Sequence, residues 1–429
     1  MAKITNDAAY VHSCRYQVLS LLCLCAVIAY VQRAAISVPA REIAGDLKFT
    51  DLAREMGMIQ SAWYFCYAVM QLPSGWLADR IGSRRGIAFF SVVWSLATLL
   101  CGFATDFVSL LILWSLMGAA QAGAFPCAVK AIGQVFPETE RARGSGLLGS
   151  GMLIGGALAP ILTAVLLEAL NPLETSLAID RWKLLLACYA IPGILWAVVF
   201  VTMISVRKLP SQHSKRVAPR PIDWSRMLSS LPLALLCAQQ FFRAAGMIFF
   251  MTWFPTFLQE TRGVSLLRSG MLTTIAGSGA VLGSLTGGFF SDWLLKRTGN
   301  ARLSRQGIAF VGMTSCSLLI IVSYFIDNVN GSIALITLGA FCASFGGVSG
   351  YVVAISFGGR NVATVFSTMN MFGNFGASLF PITAGWLVAT TGNWNFILFL
   401  FSAIMAIDAI CWALLNPRGT LFGDENEGH

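Results

Sequence analysis

The sequence predicts an all-α membrane protein with twelve transmembrane helices in two pseudo-symmetric six-helix bundles. Three observations carry this. The 429 residues are 56% hydrophobic and only 11% charged. Soluble domains carry about 25% charged residues, so this chain cannot cover a globule with polar surface and belongs in a bilayer. Apolar segments recur about twelve times at the roughly 20-residue length that a bilayer crossing demands. The second half of the chain also repeats features of the first.

Taken in order, the first six spans cover 16–38, 56–78, 86–104, 107–133, 144–168 and 183–206. The first contains "IAYVQRAAISV", with Arg33 late in an otherwise apolar run, and the second carries Tyr64 and Tyr67. Lys130 lies toward the inner end of the fourth, and the fifth holds "GSGMLIGGALAP". The longest polar stretch follows, "VRKLPSQHSKRVAPRPIDWSR". The second six spans cover 229–258, 268–291, 305–326, 332–356, 362–389 and 393–415. The seventh carries Gln239, Gln240 and Arg243 in "QQFFRAAGMIFF". The eleventh holds "MFGNFGASLFP", and the twelfth contains Asp408. The expected domains are a bundle over 1–206, a basic cytoplasmic linker over 207–228, a bundle over 229–416 and a cytoplasmic tail over 417–429.

The echoes between halves are specific. "GWLADRIGSRR" follows the second span and "GFFSDWLLKR" the eighth, and Gly75 stands to Asp79 as Gly288 stands to Asp292. The fifth and eleventh spans are both glycine-rich and end in Pro160 and Pro381. Small residues let helices approach closely. A duplicated six-helix unit with midplane chemistry is the pattern of a parallel-repeat secondary transporter.

The net charge of +9 reflects membrane orientation rather than a nucleic-acid partner. With a cytoplasmic N-terminus, about 19 of the 29 basic residues fall in inner loops, as positive-inside bias requires. Both termini are then cytoplasmic. The N-terminus reads as lacking a removable signal peptide. The eleven cysteines sit mostly in apolar runs without metal-ligand spacing, so no metal and no cofactor is expected. His12, His213 and His429 lie near the termini or in a polar loop, which argues against an intramembrane histidine relay.

"GWLADRIGSRRG" reads G-x-L-x-D-R-x-G-x-R-R. Gly75 permits close packing, Asp79 can accept from exposed N–H groups at a helix start, and Arg80, Arg84 and Arg85 hold the loop at the cytoplasmic surface. This loop resembles that of the major facilitator superfamily, and the resemblance runs along the whole chain. It implies a gating role for Gly75, Asp79, Arg80 and Asp292 as a latch between the halves. "YVQRAAISV", "AAQAGAFPCAVKAIGQVFPETERARGSG" and "STMNMFGNFGASLFPITAGWLVATTGNWNFILF" resemble the anion:cation symporter family of sugar-acid and organic-anion permeases. That family usually has an acid where this chain has Gln32, and often a glutamate at the place of Gln121. The resemblance makes those acids the proton-handling groups. Amides there leave substrate binding in place and put ordinary proton symport in doubt.

Ionisable residues inside spans are costly and usually face a cavity. Arg33, Arg243 and Lys130 are the basic candidates. The first and seventh spans are counterparts, so Arg33 and Arg243 are expected to face one cavity from opposite halves. A guanidinium offers a planar donor fork matched to carboxylate or phosphate. The competing reading has Arg33 and Lys130 snorkelling to the interface. Glu168 and Asp408 are the available counter-charges. The resemblance implies a twelfth helix packed outside the cavity, and with it a structural polar role for Asp408. Tyr30, Tyr64, Tyr67, Gln121, Gln239, Gln240, Asn370 and Asn374 fill out the expected site, suiting hydroxyls of a sugar acid or bridging helices.

These features point to a monomeric secondary transporter in a bacterial inner membrane, moving a small organic anion by alternating access. An organophosphate/phosphate exchanger is the alternative, although Ala34 and Ala35 stand where that group carries a lysine near the first-span arginine. A transporter-like sensor is a further alternative. An enzyme would need a nucleophile–base pair or metal cluster, which the sequence lacks.

Overall fold

The computed structural model describes residues 2–136, 141–205, 209, 229–358 and 362–417. Among these all regular structure is helical. In chain order the helices are α1 (Ala2–Arg33), α2 (Ala40–Asp46), α3 (Leu52–Ile81), α4 (Ser83–Cys101), α5 (Phe107–Gln121), α6 (Ala124–Val135), α7 (Arg141–Leu177) and α8 (Arg181–Met203). Then come α9 (Leu231–Met247), α10 (Phe249–Thr252), α11 (Phe254–Arg262), α12 (Leu266–Thr298), a π-turn (Arg302–Gly307), α13 (Ile308–Tyr324), α14 (Val329–Gly358), α15 (Val362–Thr391) and α16 (Phe396–Leu414). Among the described residues nine stretches are long and apolar enough to cross a membrane. The other long helices, α3, α12 and α15, have 30, 33 and 30 residues, which exceeds the roughly 20 that a span needs. The protein is an integral, multi-pass membrane protein. Apolar side chains such as Leu158, Leu195, Val198, Phe289 and Trp386 stand exposed on its helices, at no cost where lipid replaces water.

The described residues form two compact units. One holds those up to residue 209 together with 265–271, and the other holds 229–264 and 272–417. The expected linker over 207–228, apart from Leu209, lies outside the described residues, as does the tail beyond Pro417.

In the first unit α1 packs on α7, α3 on α5, and α4 on α8. The α1–α7 contact depends on glycine. A Cβ at Gly155 would lie 2.7 Å from the Val27 carbonyl oxygen, and one at Gly151 3.0 Å from that of Cys23. Val18, Leu22, Trp94, Ala131, Trp196 and Phe200 form the core between α1, α4, α6 and α8. The second unit repeats the scheme, with α9 on α15 and α13 on α16. Here a Cβ at Gly376 would lie 2.2 Å from the Phe241 carbonyl oxygen. The glycine-rich fifth and eleventh segments thus hold the two helices that carry the in-span arginines.

Three predicted boundaries differ. The first helix stops at Arg33 rather than continuing to 38. Residues 34–39 form turns, with Ala34 N–H donating to the Val31 carbonyl at 3.2 Å and Ser37 N–H to that of Ala34 at 3.1 Å. Pro39 disfavours helix at the residue before it. The fourth span breaks at Ala122–Gly123 into α5 and α6, and the seventh breaks at Ile248 and Trp253 into α9, α10 and α11. Pro255 sits at the start of α11, where its missing N–H costs nothing.

Short helix α2, which follows Arg33, is tied to the start of α8. Arg181 pairs with Glu42, its Nε donating to Oε2 at 3.0 Å. Lys183 Nζ lies 2.7 Å from Asp46 Oδ2 and 2.8 Å from Asp180 Oδ2. Lys183 holds the Asp180 carboxyl below its usual range by hydrogen bonding to the ionised form.

Candidate functional site

In the first unit, Arg33 closes the last turn of α1. Its Nε and Nη2 both donate to Gln121 Oε1, each at 3.2 Å. Gln121 ends α5 and is buried; its Nε2 donates to the Ala29 carbonyl at 3.0 Å. The amide therefore reads two groups on α1 at once, an arginine and a carbonyl one turn earlier. Aromatic rings enclose the guanidinium, with its central carbon 4.3 Å from the Tyr30 ring centroid, 4.4 Å from Trp63 and 4.9 Å from Tyr67. Such faces attract a cation without neutralising it. Trp63 stacks on Tyr67 at 5.2 Å and meets Tyr64 edge-on at 4.8 Å. Its indole N–H points to Met117 Sδ at 2.8 Å. The close approach of α5 is possible because residue 118 is glycine: a Cβ there would lie 2.4 Å from the Trp63 carbonyl oxygen.

Gln32 turns away from this cluster. It is buried, its Nε2 donates to the Tyr189 carbonyl at 2.5 Å, and its Oε1 accepts from the Trp94 indole at 2.6 Å. Gln32 thus joins α1 to α4 and α8 and is no partner of Arg33. Adjacent positions on a helix point about 100° apart, which separates the two roles.

In the second unit, Arg243 projects from α9. Its Nη2 donates to Gln240 Oε1 at 2.8 Å and to the Tyr351 hydroxyl at 3.1 Å. The guanidinium also lies 5.4 Å from the Tyr351 ring centroid. Gly347 and Gly350 of α14 leave room for Arg243 and Gln239, since a Cβ at Gly347 would lie 2.8 Å from Arg243 Cδ. Gln239 is buried and donates to the Leu236 carbonyl at 2.8 Å, leaving its Oε1 unpartnered. Asn374 Nδ2 donates to the Asn370 carbonyl at 3.1 Å. These two asparagines flank Gly373, against which Gln240 packs.

The structure therefore brings Tyr30, Tyr67 and Gln121 to Arg33, with Tyr64 edge-on to Trp63, and brings Gln240 to Arg243. Gln239, Asn370 and Asn374 lie on neighbouring turns, and none accepts a hydrogen bond from Arg243. Sequence reasoning missed Trp63 and Tyr351. Trp63 precedes Tyr67 by four residues and shares its helical face, a signal the sequence does contain. Tyr351 has only its glycine-rich surroundings to mark it. Among the described residues neither Arg33 nor Arg243 forms a salt bridge. Each is a cation held by neutral dipoles and aromatic faces, an arrangement that keeps its charge available to an anion. Lys130 is half-buried on α6.

Of the loop motif, Gly75 and Asp79 fall in α3, but their side chains lie outside the described set. Arg80 is exposed in the last turn of α3. Arg84 donates through Nη2 to the Val201 carbonyl at 2.6 Å and through Nε to that of Ile204, so it caps the end of α8. In the second copy Asp292 Oδ1 accepts from Arg305 Nη2 at 2.6 Å. Arg305 also donates to Ser291 Oγ at 2.5 Å. This pair ties α12 to the π-turn before α13.

Comparison with known proteins places these features. Residues 22–356 match the Major Facilitator Superfamily. The "Probable sulfoacetate transporter SauU" of Cupriavidus necator is 28% identical, over 96% of this chain and 97% of the relative. The "Probable galactarate/D-glucarate transporter GudP" of Escherichia coli K12 is 27% identical over 92% of each chain. The "Hexuronate transporter" of Bacillus subtilis is 27% identical over 94% of this chain and 96% of the relative. Among solved structures, a bacterial homolog of the human lysosomal transporter Spinster superposes with a TM-score of 0.78 at 19% identity, covering 94% of this chain and 96% of the other. The chain belongs to the major facilitator superfamily.

Proposed function

We propose that this superfamily member moves a small organic anion, a sugar acid or another carboxylate, across the membrane by alternating access. Arg33 and Arg243 are the anion-binding groups. The observation that carries the reading is the state of these two side chains. Each is an in-span guanidinium surrounded by neutral polar and aromatic partners, with no described carboxylate bonded to it. A carboxylate cargo supplies the missing charge and takes the planar donor fork. Tyr30, Tyr67 and Gln121 orient Arg33, and Gln240 and Tyr351 orient Arg243. Gln239, Asn370 and Asn374 supply further groups for cargo hydroxyls. The names of three relatives, for sulfoacetate, galactarate/D-glucarate and hexuronate, support an anionic cargo.

Gln32 and Gln121 are amides, so neither carries a proton as an acid there would. In this reading the chain works as a monomer in a bacterial inner membrane with both termini cytoplasmic. Gly75, Asp79 and Arg80 toward the end of α3, and Asp292 in the second copy on α12, act as gates. The test is uptake in proteoliposomes with D-glucarate, galactarate, hexuronates and sulfoacetate. Arg33→Ala and Arg243→Ala each abolish uptake of whichever anions the wild type carries. Retained uptake in either variant sinks the two-arginine assignment. Counterflow driven by inorganic phosphate in place of these acids favours the phosphate-exchanger alternative.

A further inference from the structure

Asp408 lies in α16 and is fully buried, at 0% exposure. Both of its carboxyl oxygens lack a hydrogen-bond partner. Two buried donors in the same unit are also unused: Arg243 Nε–H on α9 and the Trp412 indole N–H on α16. Trp412 follows Asp408 by four residues and shares its helical face.

The packing register aligns these groups. Phe249 and Phe250, just beyond α9, meet Phe401 of α16 at ring-centroid distances of 5.4 and 5.6 Å. One turn back, on α9, a Cβ at Gly246 would lie 2.0 Å from Met405 Cε. As numbering falls along α9 it rises along α16, so the helices are antiparallel. One more step places Arg243, three before Gly246, level with Asp408, three after Met405. Asp408 lies within the electrostatic reach of Arg243, yet the two form no hydrogen bond.

The other titratable neighbours are few. Cys316 of α13 and Cys411 of α16 feel the Asp408 carboxyl. The sequence of α15 contains no titratable residue. Arg302 and Arg305 of the π-turn are engaged by Gln306 and by Asp292 with Ser291. Arg243 is therefore the cation that faces Asp408.

A carboxyl group buried without hydrogen bonds is less costly as the neutral acid, or beside a cation, than as an isolated anion. Asp408 has both options: protonated, or ionised and paired with the idle Nε–H of Arg243. We propose that Asp408 is a proton-binding site that competes with the anionic cargo for Arg243. The inference rests on Arg243 being an anion-binding group. When Asp408 is ionised it neutralises Arg243 and weakens cargo binding. When a proton from water binds an Asp408 oxygen, the guanidinium charge is released to the cargo. On the far side the cargo leaves, the proton returns to water and the Asp408–Arg243 pair re-forms. One proton travels with one anion, coupled in the second unit although positions 32 and 121 are amides.

Two measurements test this. In nanodiscs, the Kd of wild-type protein for D-glucarate and for sulfoacetate rises about tenfold per pH unit above the pH at which Asp408 ionises. In Asp408→Asn the Kd is flat over the same range. A flat wild-type profile, or an equal slope in the variant, overturns the proposal. Infrared titration of the ligand-free protein gives a readout that needs no cargo. The carbonyl stretch of a protonated carboxyl titrates in wild type, is absent in Asp408→Asn, and titrates at a different pH in Arg243→Lys. Absence of such a band in wild type overturns the proposal even if Arg243→Ala has abolished anion binding. If the band behaves as expected while Arg243→Ala still binds anion, the anion-site assignment is what fails.

Discussion

Gln121→Glu converts the neutral acceptor of Arg33 into an acid without changing its shape. Gln121 Oε1 sits 3.2 Å from both Arg33 Nε and Nη2, and Nε2 donates to the Ala29 carbonyl at 3.0 Å. Protonated, the new side chain reproduces both sets of contacts, with its O–H in place of the amide N–H. Ionised, it gains an ion pair worth about 4 kcal/mol at roughly 4 Å between charge centres and an effective dielectric near 20. The amide it replaces already holds Arg33 through a charge-assisted hydrogen bond worth about 1.5–3 kcal/mol, which an anion must displace in wild type as well. The balance of about 2 kcal/mol must be overcome by any anion that uses Arg33, a weakening of roughly 30-fold. The assay is equilibrium binding of D-glucarate across pH. The ratio of variant to wild-type Kd is near one at acid pH, climbs as the introduced carboxyl ionises, and levels at roughly 30-fold. A ratio that stays at one across the range, in a variant that melts normally, shows that Arg33 does not hold the anion. A ratio that is raised but independent of pH shows that the substitution acts through packing alone.

Two further outcomes follow from the packing and the loop charges. Gly376→Ala forces a Cβ to within 2.2 Å of the Phe241 carbonyl oxygen, whereas Gly155→Ala meets the Val27 carbonyl oxygen at 2.7 Å. Overpacking of this kind costs about 1–3 kcal/mol, so both variants melt lower, Gly376→Ala more so; the reverse order contradicts the close-approach argument. The Asp180 carboxyl is held below its unfolded value by Lys183, so its stabilisation is present above about pH 3.9 and is lost as pH falls through the lower folded value. Asp180→Asn therefore lowers the stability at neutral pH, and with it the melting temperature, by less than about 1 kcal/mol of free energy for so exposed a pair. It matches wild type in strong acid, and a deficit that persists there refutes the ion-pair cause.

Much of the architecture is legible in the sequence because its causes are local. Hydropathy alone marks the membrane segments. The cost of an in-span charge singles out Arg33, Arg243 and Asp408, whatever surrounds them. The glycines of "GSGMLIGGALAP" and "MFGNFGASLFP" declare close helix contacts before any partner is known. Tyr30 and Arg33 share a face by spacing alone, and the structure places the ring 4.3 Å from the guanidinium carbon. The boundary at 38 is less legible. Residues 34–38 are apolar or small enough to continue a span, and the turn there is set by Pro39 and by backbone bonds that hydropathy does not register.

The sequence by itself determined that this is an all-helical, multi-pass membrane protein with two in-span arginines and amides at 32 and 121. Tertiary structure alone decided what those amides do. Gln121 comes to Arg33 from 88 residues away, and Gln32, the residue beside Arg33 in sequence, is spent on Trp94 and Tyr189. The same holds for Trp63 beside Arg33, Tyr351 beside Arg243, and Asp408 level with Arg243 across an antiparallel helix pair. The physical reason is that partition into lipid depends on each segment's own composition, whereas hydrogen-bond and charge partners depend on the rotation and register of packed helices. Those are fixed by where one helix has a glycine and its neighbour a carbonyl or a ring.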